Sequence, residues 1–245
     1  MGFIGHLIEL RNRLIKALAA LLVIFLPLAI FSNELYNLLA QPLMANMPAG
    51  TSMIATSVTS PFLAPLKFAL VLAALLGMPV ILYHIWAFVA PGLYRHERRM
   101  IFPLLFGSIV LFYSGVLFAY FVFFPMVFKF FISIAPQGVA VMTDISSYLD
   151  FVLSMFFAFG IAFQVPIVTI VLVWAGIVTP EVLAEKRRYI IVGIFVVATV
   201  LTPPDVASQF FLAVPMCLLF EVGLLLARMV AKQQAREAEE GSVSD

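Results

Sequence analysis

The chain has 245 residues, of which 64% are hydrophobic and only 11% charged, with a formal net charge of +1. A soluble domain carries roughly 45–50% apolar and about 25% charged residues, and a sphere of this size has too little interior to hide the excess. A water-soluble globular protein is excluded and an integral membrane protein is expected. One cysteine, Cys217, excludes an intrachain disulfide. His6, His84 and His96 lack the spacing of a metal or haem ligand set, so no metal or cofactor is expected.

A hydrocarbon core of about 30 Å asks for roughly 20 apolar helical residues. Six stretches answer to that in chain order, at 14–31, 66–89, 101–124, 151–178, 189–202 and 207–227. The first follows Arg11, Arg13 and Lys16 as a secretory signal would, but its exit, "PLAIFSNELY", has no small-x-small cleavage site, so it reads as a retained helix. The loop 32–65 holds Pro42, Pro48, Pro61 and Pro65 and no base, and is long enough to predict an ordered cap or lid with short helical pieces. A second loop, 125–150, offers Asp144 or Ser146 as a helix N-cap. The fifth stretch spans only about 21 Å at 1.5 Å per residue, which suits thinned bilayer or shelter against longer helices. It meets the sixth through the tight turn "TPPD" at 202–205. Pro79, Pro166 and Pro215 fall inside the second, fourth and sixth helices and predict kinks.

Twelve of the fourteen Lys and Arg residues flank the helices on one side, and only Lys67 and Lys129 fall on the other. By the positive-inside rule both termini are cytoplasmic. The fold class expected is therefore all-α, six kinked transmembrane helices in a cupped arrangement, with a membrane domain over 1–230 and a frayed polar tail over 231–245. No internal repeat is visible.

Glu9 precedes Arg13 by four residues, and Glu97 sits between Arg95 and Arg98. Two readings stand. Each acid could simply pair with its neighbours, worth about 0.2–0.5 kcal/mol in the Glu9 case. Alternatively, two carboxylates on one cytoplasmic face hold a cationic ligand, for which a guanidinium is the best fit. Gln164 lies mid-membrane, where an amide needs partners on other helices. Thr202, Asp205 and Gln209 cluster at the outward end of the last two helices, Asp205 doubling as a helix cap. Glu221 is expected to snorkel or to pair with Arg228. "FGSIV" around Ser108 hints at a hydrolase nucleophile, but His84 has no orienting partner, and an enzyme is not expected. A solute or ion carrier is the alternative from another class; it would want mid-bilayer carboxylates, which are absent.

The strings "HLIELRNRL", "MIATSVTSPF", "YHIWAFVAPGLYRHERR", "FAYFVFFP", "MTDISSYLDFV" and "LTPPDVASQ" occur in this order and together resemble the TatC family, the large membrane subunit of the twin-arginine protein translocase. The resemblance covers about residues 4 to 230. It implies that Glu9 and Glu97, with Arg11, Leu93, Tyr94 and Arg95 beside them, dock the twin arginines of a cargo signal peptide. It also implies that Gln164, Thr202, Asp205 and Gln209 contact the single-span subunits TatA and TatB, in a homo- and hetero-oligomer surrounded by membrane lipid, with no nucleic acid. Many family members carry a glutamate in the fourth helix just before a V-P pair, where this chain has Gln164, so a titrating acid is not available there. The start at Met1 without a transit extension favours a bacterial cytoplasmic membrane over a plastid.

Overall fold

Long runs of Leu, Ile, Val, Phe and Ala with few charges leave the backbone no partner but itself, and helix is the outcome along the chain. The computed structural model describes residues 3–44, 53–89, 101–134, 142–202 and 206–243. Among these it has eleven α-helices and a single parallel bridge in place of any sheet. Four helical stretches are long and apolar enough to cross a membrane, and a bent pair makes a fifth. The chain divides into two units, 1–109 with 120–154, and 110–119 with 155–245.

In the first unit α1 (Phe3–Ile30) packs along α3 (Ser60–Leu76) and α4 (Met78–Val89). Helix α2 (Ser32–Met44) lies on α3 and on α6 (Phe124–Ser133). The expected second span, 66–89, is two helices bent by 47°. Pro79 causes the bend, as predicted, because it cannot donate to the carbonyl of Leu75; the break itself falls two residues earlier, at Gly77. There the chain is tight, since a Cβ would sit 3.0 Å from the carbonyl oxygen of Ala73.

The expected third span ends later than its composition suggests. Helix α5 (Ile101–Phe118) passes through a π turn (Ala119–Phe123) into α6. The π turn lies just before Pro125, where an α-helical bond to Phe121 has no donor, and its wider pitch carries the helix past the gap. An aromatic cluster forms beyond the turn. Phe124 stacks on Phe128 at 5.6 Å and 16°, and Phe123, Phe151 and Tyr148 close around them at 5.6–6.3 Å.

Helix α7 (Ile145–Ala162) begins at Asp144, which accepts from the backbone N–H of Ser147 at 2.9 Å and from its hydroxyl at 3.0 Å. Of the two N-caps the sequence offered, Asp144 and Ser146, the structure uses Asp144. Its other oxygen takes the backbone N–H of Thr56 at 3.0 Å and the Thr56 hydroxyl at 2.8 Å. Around it, Ile54 N–H donates to Thr143 at 3.0 Å and Ile145 N–H to Ile54 at 2.9 Å. Ser60 and Ser146 bond hydroxyl to hydroxyl at 2.8 Å. Tyr36, Tyr120 and Tyr148 donate to the carbonyls of Ile145, Leu38 and Leu39 at 3.3, 3.0 and 2.8 Å. Within the loop expected to form a cap, α2, the 53–57 segment and the start of α3 are thus each tied to the start of α7 at one end of the unit. Burial and the Asp144 charge push the Tyr36 phenol up to about 12, so it remains a donor.

In the second unit α8 (Val165–Trp174), α9 (Pro180–Glu185) and α10 (Arg187–Leu201) each pack on α11 (Val206–Val243). Helix α8 ends in a Schellman turn. Gly176 takes φ +67°, its N–H bonds Val173 at 3.0 Å, and Ile177 N–H bonds Leu172 at 3.1 Å. Thr179 then caps α9 through the N–H of Val182 at 3.4 Å, with Pro180 at the first helical position. Close approach is set by small residues. A Cβ on Gly115 would lie 2.6 Å from the Phe159 carbonyl oxygen, and one on Gly160 would lie 2.5 Å from the Phe112 ring. Helix α10 has 15 residues, about 22 Å, so the expected fifth span is a helix of the expected shortness. Pro215 sits inside an unbroken α11, which continues to Val243. The tail expected to fray is helical, because Ala, Lys, Gln, Arg and Glu are strong helix formers.

Gly160→Ala should lower stability by about 1–3 kcal/mol through overpacking against Phe112. Gly193→Ala, where a Cβ meets nothing within 4 Å, should be neutral or stabilise by up to about 1 kcal/mol; thermal unfolding in detergent, monitored by helicity, checks both. The four hydrogen bonds hold the Asp144 carboxyl well below the usual carboxylate range, the Ser147 N–H being the largest contributor. A depressed folded pKa gives stability that is complete above the ordinary carboxylate pKa and fades only as pH falls below it. Protease nicking of the 53–57 segment should therefore be flat from neutral pH to about 5 and rise under stronger acid, and Asp144→Asn should show the acid-like rate already at neutral pH.

Candidate functional site

Two surfaces carry the residues singled out by sequence. The first begins on α1, where the polar start of the helix precedes its apolar run. Glu9 is half-buried and Arg13, one turn on, reaches it with Nη2 at 2.5 Å and Nε at 3.0 Å. Both contacts fall on Oε1, leaving Oε2 without a partner among the described residues. The i,i+4 pair thus exists, and it still leaves one carboxylate oxygen for a second guanidinium. Arg11 is exposed, its Nη2 3.5 Å from the Asn12 side-chain oxygen. Leu93, Tyr94, Arg95 and Glu97 lie outside the described residues.

The second surface is built on α10 and α11. Thr202 closes α10, its N–H and hydroxyl both donating to the carbonyl of Ala198 at 2.9 and 2.8 Å. Gln209 donates from α11 to the carbonyl of Phe195 at 3.2 Å and to the Thr199 hydroxyl at 2.5 Å, and Phe195 meets Phe210 edge to face at 5.4 Å. Asp205 lies outside the described residues. At the opposite end of α10, Arg187 pairs with Glu221 at 2.8 Å. This corrects the expected pairing of Glu221 with Arg228. Seven residues along one helix is about 10 Å of rise, whereas the neighbouring helix delivers a guanidinium directly. The short α10 is thus pinned to α11 near both ends. Its opposite face leaves Val192, Val196 and Val200 exposed. Beside Arg187, Lys186 and Arg188 lie 5.6 and 4.9 Å from the Tyr189 ring, a basic–aromatic group suited to a headgroup layer.

Gln164 sits in the break between α7 and α8. Pro166 has no N–H for the Ala162 carbonyl, and the chain turns there, with Gln164 N–H bonding Ile161 and its carbonyl taking the Val168 N–H, both at 2.9 Å. Gln164 is thus placed by the α7–α8 break, whereas Thr202 closes α10 and Gln209 bonds α10 from α11. Ser108, weighed as a nucleophile, is buried and accepts the Trp86 indole N–H at 3.1 Å.

Sequence reasoning missed two pairs, Arg187–Glu221 and Lys67–Asp150. A signal existed for the second: each is a single charge of opposite sign a few residues inside an otherwise apolar helix. Their pairing across 83 residues had no local trace.

The family description "Sec-independent protein translocase protein (TatC)" matches residues 5–215. A Sec-independent protein translocase protein TatC of Haemophilus influenzae is 56% identical over 225 residues, covering 92% of this chain and 88% of the relative. The Escherichia coli K12 protein of the same name is 52% identical over 235 residues, covering 96% and 91%. A crystal structure described as the twin arginine translocase receptor TatC superposes with a TM-score of 0.81 at 39% identity, covering 91% of this chain and 98% of the other. With its several membrane-length apolar helices, the chain is a multi-pass membrane protein and belongs to the TatC family.

Proposed function

We propose that this chain is the receptor and scaffold subunit of a twin-arginine translocase, recognising the paired arginines of cargo signal peptides on its cytoplasmic face. The observation that carries the reading is the match over residues 5–215, combined with a half-open carboxylate, Glu9, on the basic start of α1. Glu9 and Glu97 take one guanidinium each, and Arg11, Leu93, Tyr94 and Arg95 shape the surface between them. Arginine suits such a site because its planar fork meets a carboxylate with two bonds. Two charge-assisted bonds of about 1.5–3 kcal/mol each give weak binding alone, so the apolar stretch of the signal must also be buried.

The same reading has the chain cross a bacterial cytoplasmic membrane six times with both termini inside, using the positive-inside distribution of Lys and Arg and counting the short α10 as the fifth span. Residues 1–230 form the membrane domain. The single-span subunits TatA and TatB meet Gln164 and the α10–α11 end at Thr202, Asp205 and Gln209. Because the Gln209 amide is already engaged by Phe195 and Thr199, its part is to hold α10 in register while the valine face takes the partner. The carrier alternative has no support from the matched relatives. The chain's work is binding and assembly, and the proton gradient drives transport.

Export tests this. In a bacterium lacking its own family member, this chain should restore periplasmic delivery of a folded reporter with a twin-arginine signal. Glu97→Ala and Glu9→Ala should each cut delivery by about ten-fold or more at unchanged membrane level. Wild-type delivery by both variants would place recognition elsewhere.

A further inference from the structure

An open groove of about 540 Å³ lies between α1, α3 and α7 in the first unit. Leu22 and Phe25 of α1, Leu70 of α3 and Leu149 of α7 supply apolar walls, and Ser146, Lys67 and Asp150 form one polar edge. Lys67 and Asp150 are ion-paired, yet their side chains remain 53% and 58% exposed. A charged pair this open inside membrane-length helices asks for a partner that is polar at one end and apolar along its length.

Depth identifies the polar end. Lys67 lies seven residues into α3, about 10 Å from its start, and Asp150 is the sixth residue of α7, about 8 Å from its start. Side chains on a helix lean toward its N-terminus, and α3 and α7 begin at the same end, tied by Ser60 to Ser146. Lys67 therefore snorkels back toward the membrane surface at that end, reaching the level where a lipid's phosphate meets its glycerol. Size selects the occupant. One turn of a 10 Å helix fills about 400 Å³, so the groove holds little more than a single turn of a peptide helix. A single hydrocarbon chain is a narrow rod about 15 Å long, half the hydrocarbon core, and fits within the volume.

We propose that this groove seats one phospholipid, with an acyl chain along Leu22, Phe25, Leu70 and Leu149 and its phosphate on Lys67. Asp150 competes with the phosphate for the ammonium group and holds the lysine in place when the seat is empty. The lipid would brace α1, which packs along α3 and α4 but holds no fully buried residue in its apolar stretch, against α3 and α7. The seat is independent of the twin-arginine surface.

The test uses the purified full chain in detergent, with bound lipid counted by native mass spectrometry. The probes are dioleoylphosphatidylglycerol and dioleoylglycerol, which shares the chains but lacks the phosphate. Wild type should retain one phosphatidylglycerol and much less dioleoylglycerol. Lys67→Gln should weaken phosphatidylglycerol binding about ten-fold, the loss of one charge-assisted phosphate contact. Asp150→Asn should hold or tighten binding, because it frees the lysine, and Leu22→Trp, which fills the groove from an exposed position, should abolish it. Equal losses in Lys67→Gln and Asp150→Asn would mean the pair only ties two helices together and would overturn the proposal. So would unchanged retention in Leu22→Trp, or displacement of the lipid by a twin-arginine peptide, which would make the groove part of the cargo path.

Discussion

Hydrocarbon solvates an apolar side chain as well as a protein interior does, so burial does not drive one membrane helix onto another. Association in the bilayer has to come from close van der Waals approach and from polar links that find no other partner. Both are visible here in separate places. Where the second unit packs, glycine removes the side chain that would hold the helices apart, as at Gly115 and Gly160. At the end of the first unit where α3 and α7 begin, hydroxyls and one carboxylate supply the links, with Asp144 joining the 53–57 segment to α7 through four hydrogen bonds.

The same solvent dictates where charges stand. A lone charge in hydrocarbon is costly, and pairing lowers that cost. Arg187–Glu221 and Lys67–Asp150 obey that rule by pairing across helices, and Glu9–Arg13 obeys it within one. On a face crowded with lysine and arginine, an arriving dication would be repelled without carboxylates to meet it. In the proposed reading the half-paired Glu9 meets that dication with its second oxygen, since Arg13 engages only Oε1 among the described residues. Gln164 obeys the rule in another way, since an amide in a helix break can bond without ionising.

The helices were legible because their cause is local. Apolar runs located α1, α3 with α4, α5, α7, α10 and α11, the shortness of α10 was readable by counting, and Asp144 could be named as a cap from its place before "ISSYLDFV". What a proline does to its helix depends on its surroundings as well as on its missing N–H. Pro79 bends its span through a break at Gly77, Pro125 is passed by a π turn, and Pro215 leaves α11 unbroken. The tyrosine bonds to α2 carbonyls and the two interhelical ion pairs escaped because their partners lie tens of residues away. Of the proposed docking surface, the sequence offers the residue types around Glu9 and Glu97 as an expectation; that Arg13 meets Glu9 through Oε1 alone among the described residues required coordinates.

Whether carboxylates on this basic face read arginine is tested most directly by equilibrium binding. A twin-arginine signal peptide and its twin-lysine counterpart are titrated onto the purified chain in nanodiscs, wild type against Glu97→Gln. Wild type should prefer arginine by about ten-fold or more, as a bidentate fork over a point charge allows, and the variant should lose that preference at unchanged helicity. An undiminished arginine preference in Glu97→Gln would contradict the claim and leave that glutamate a balancing charge.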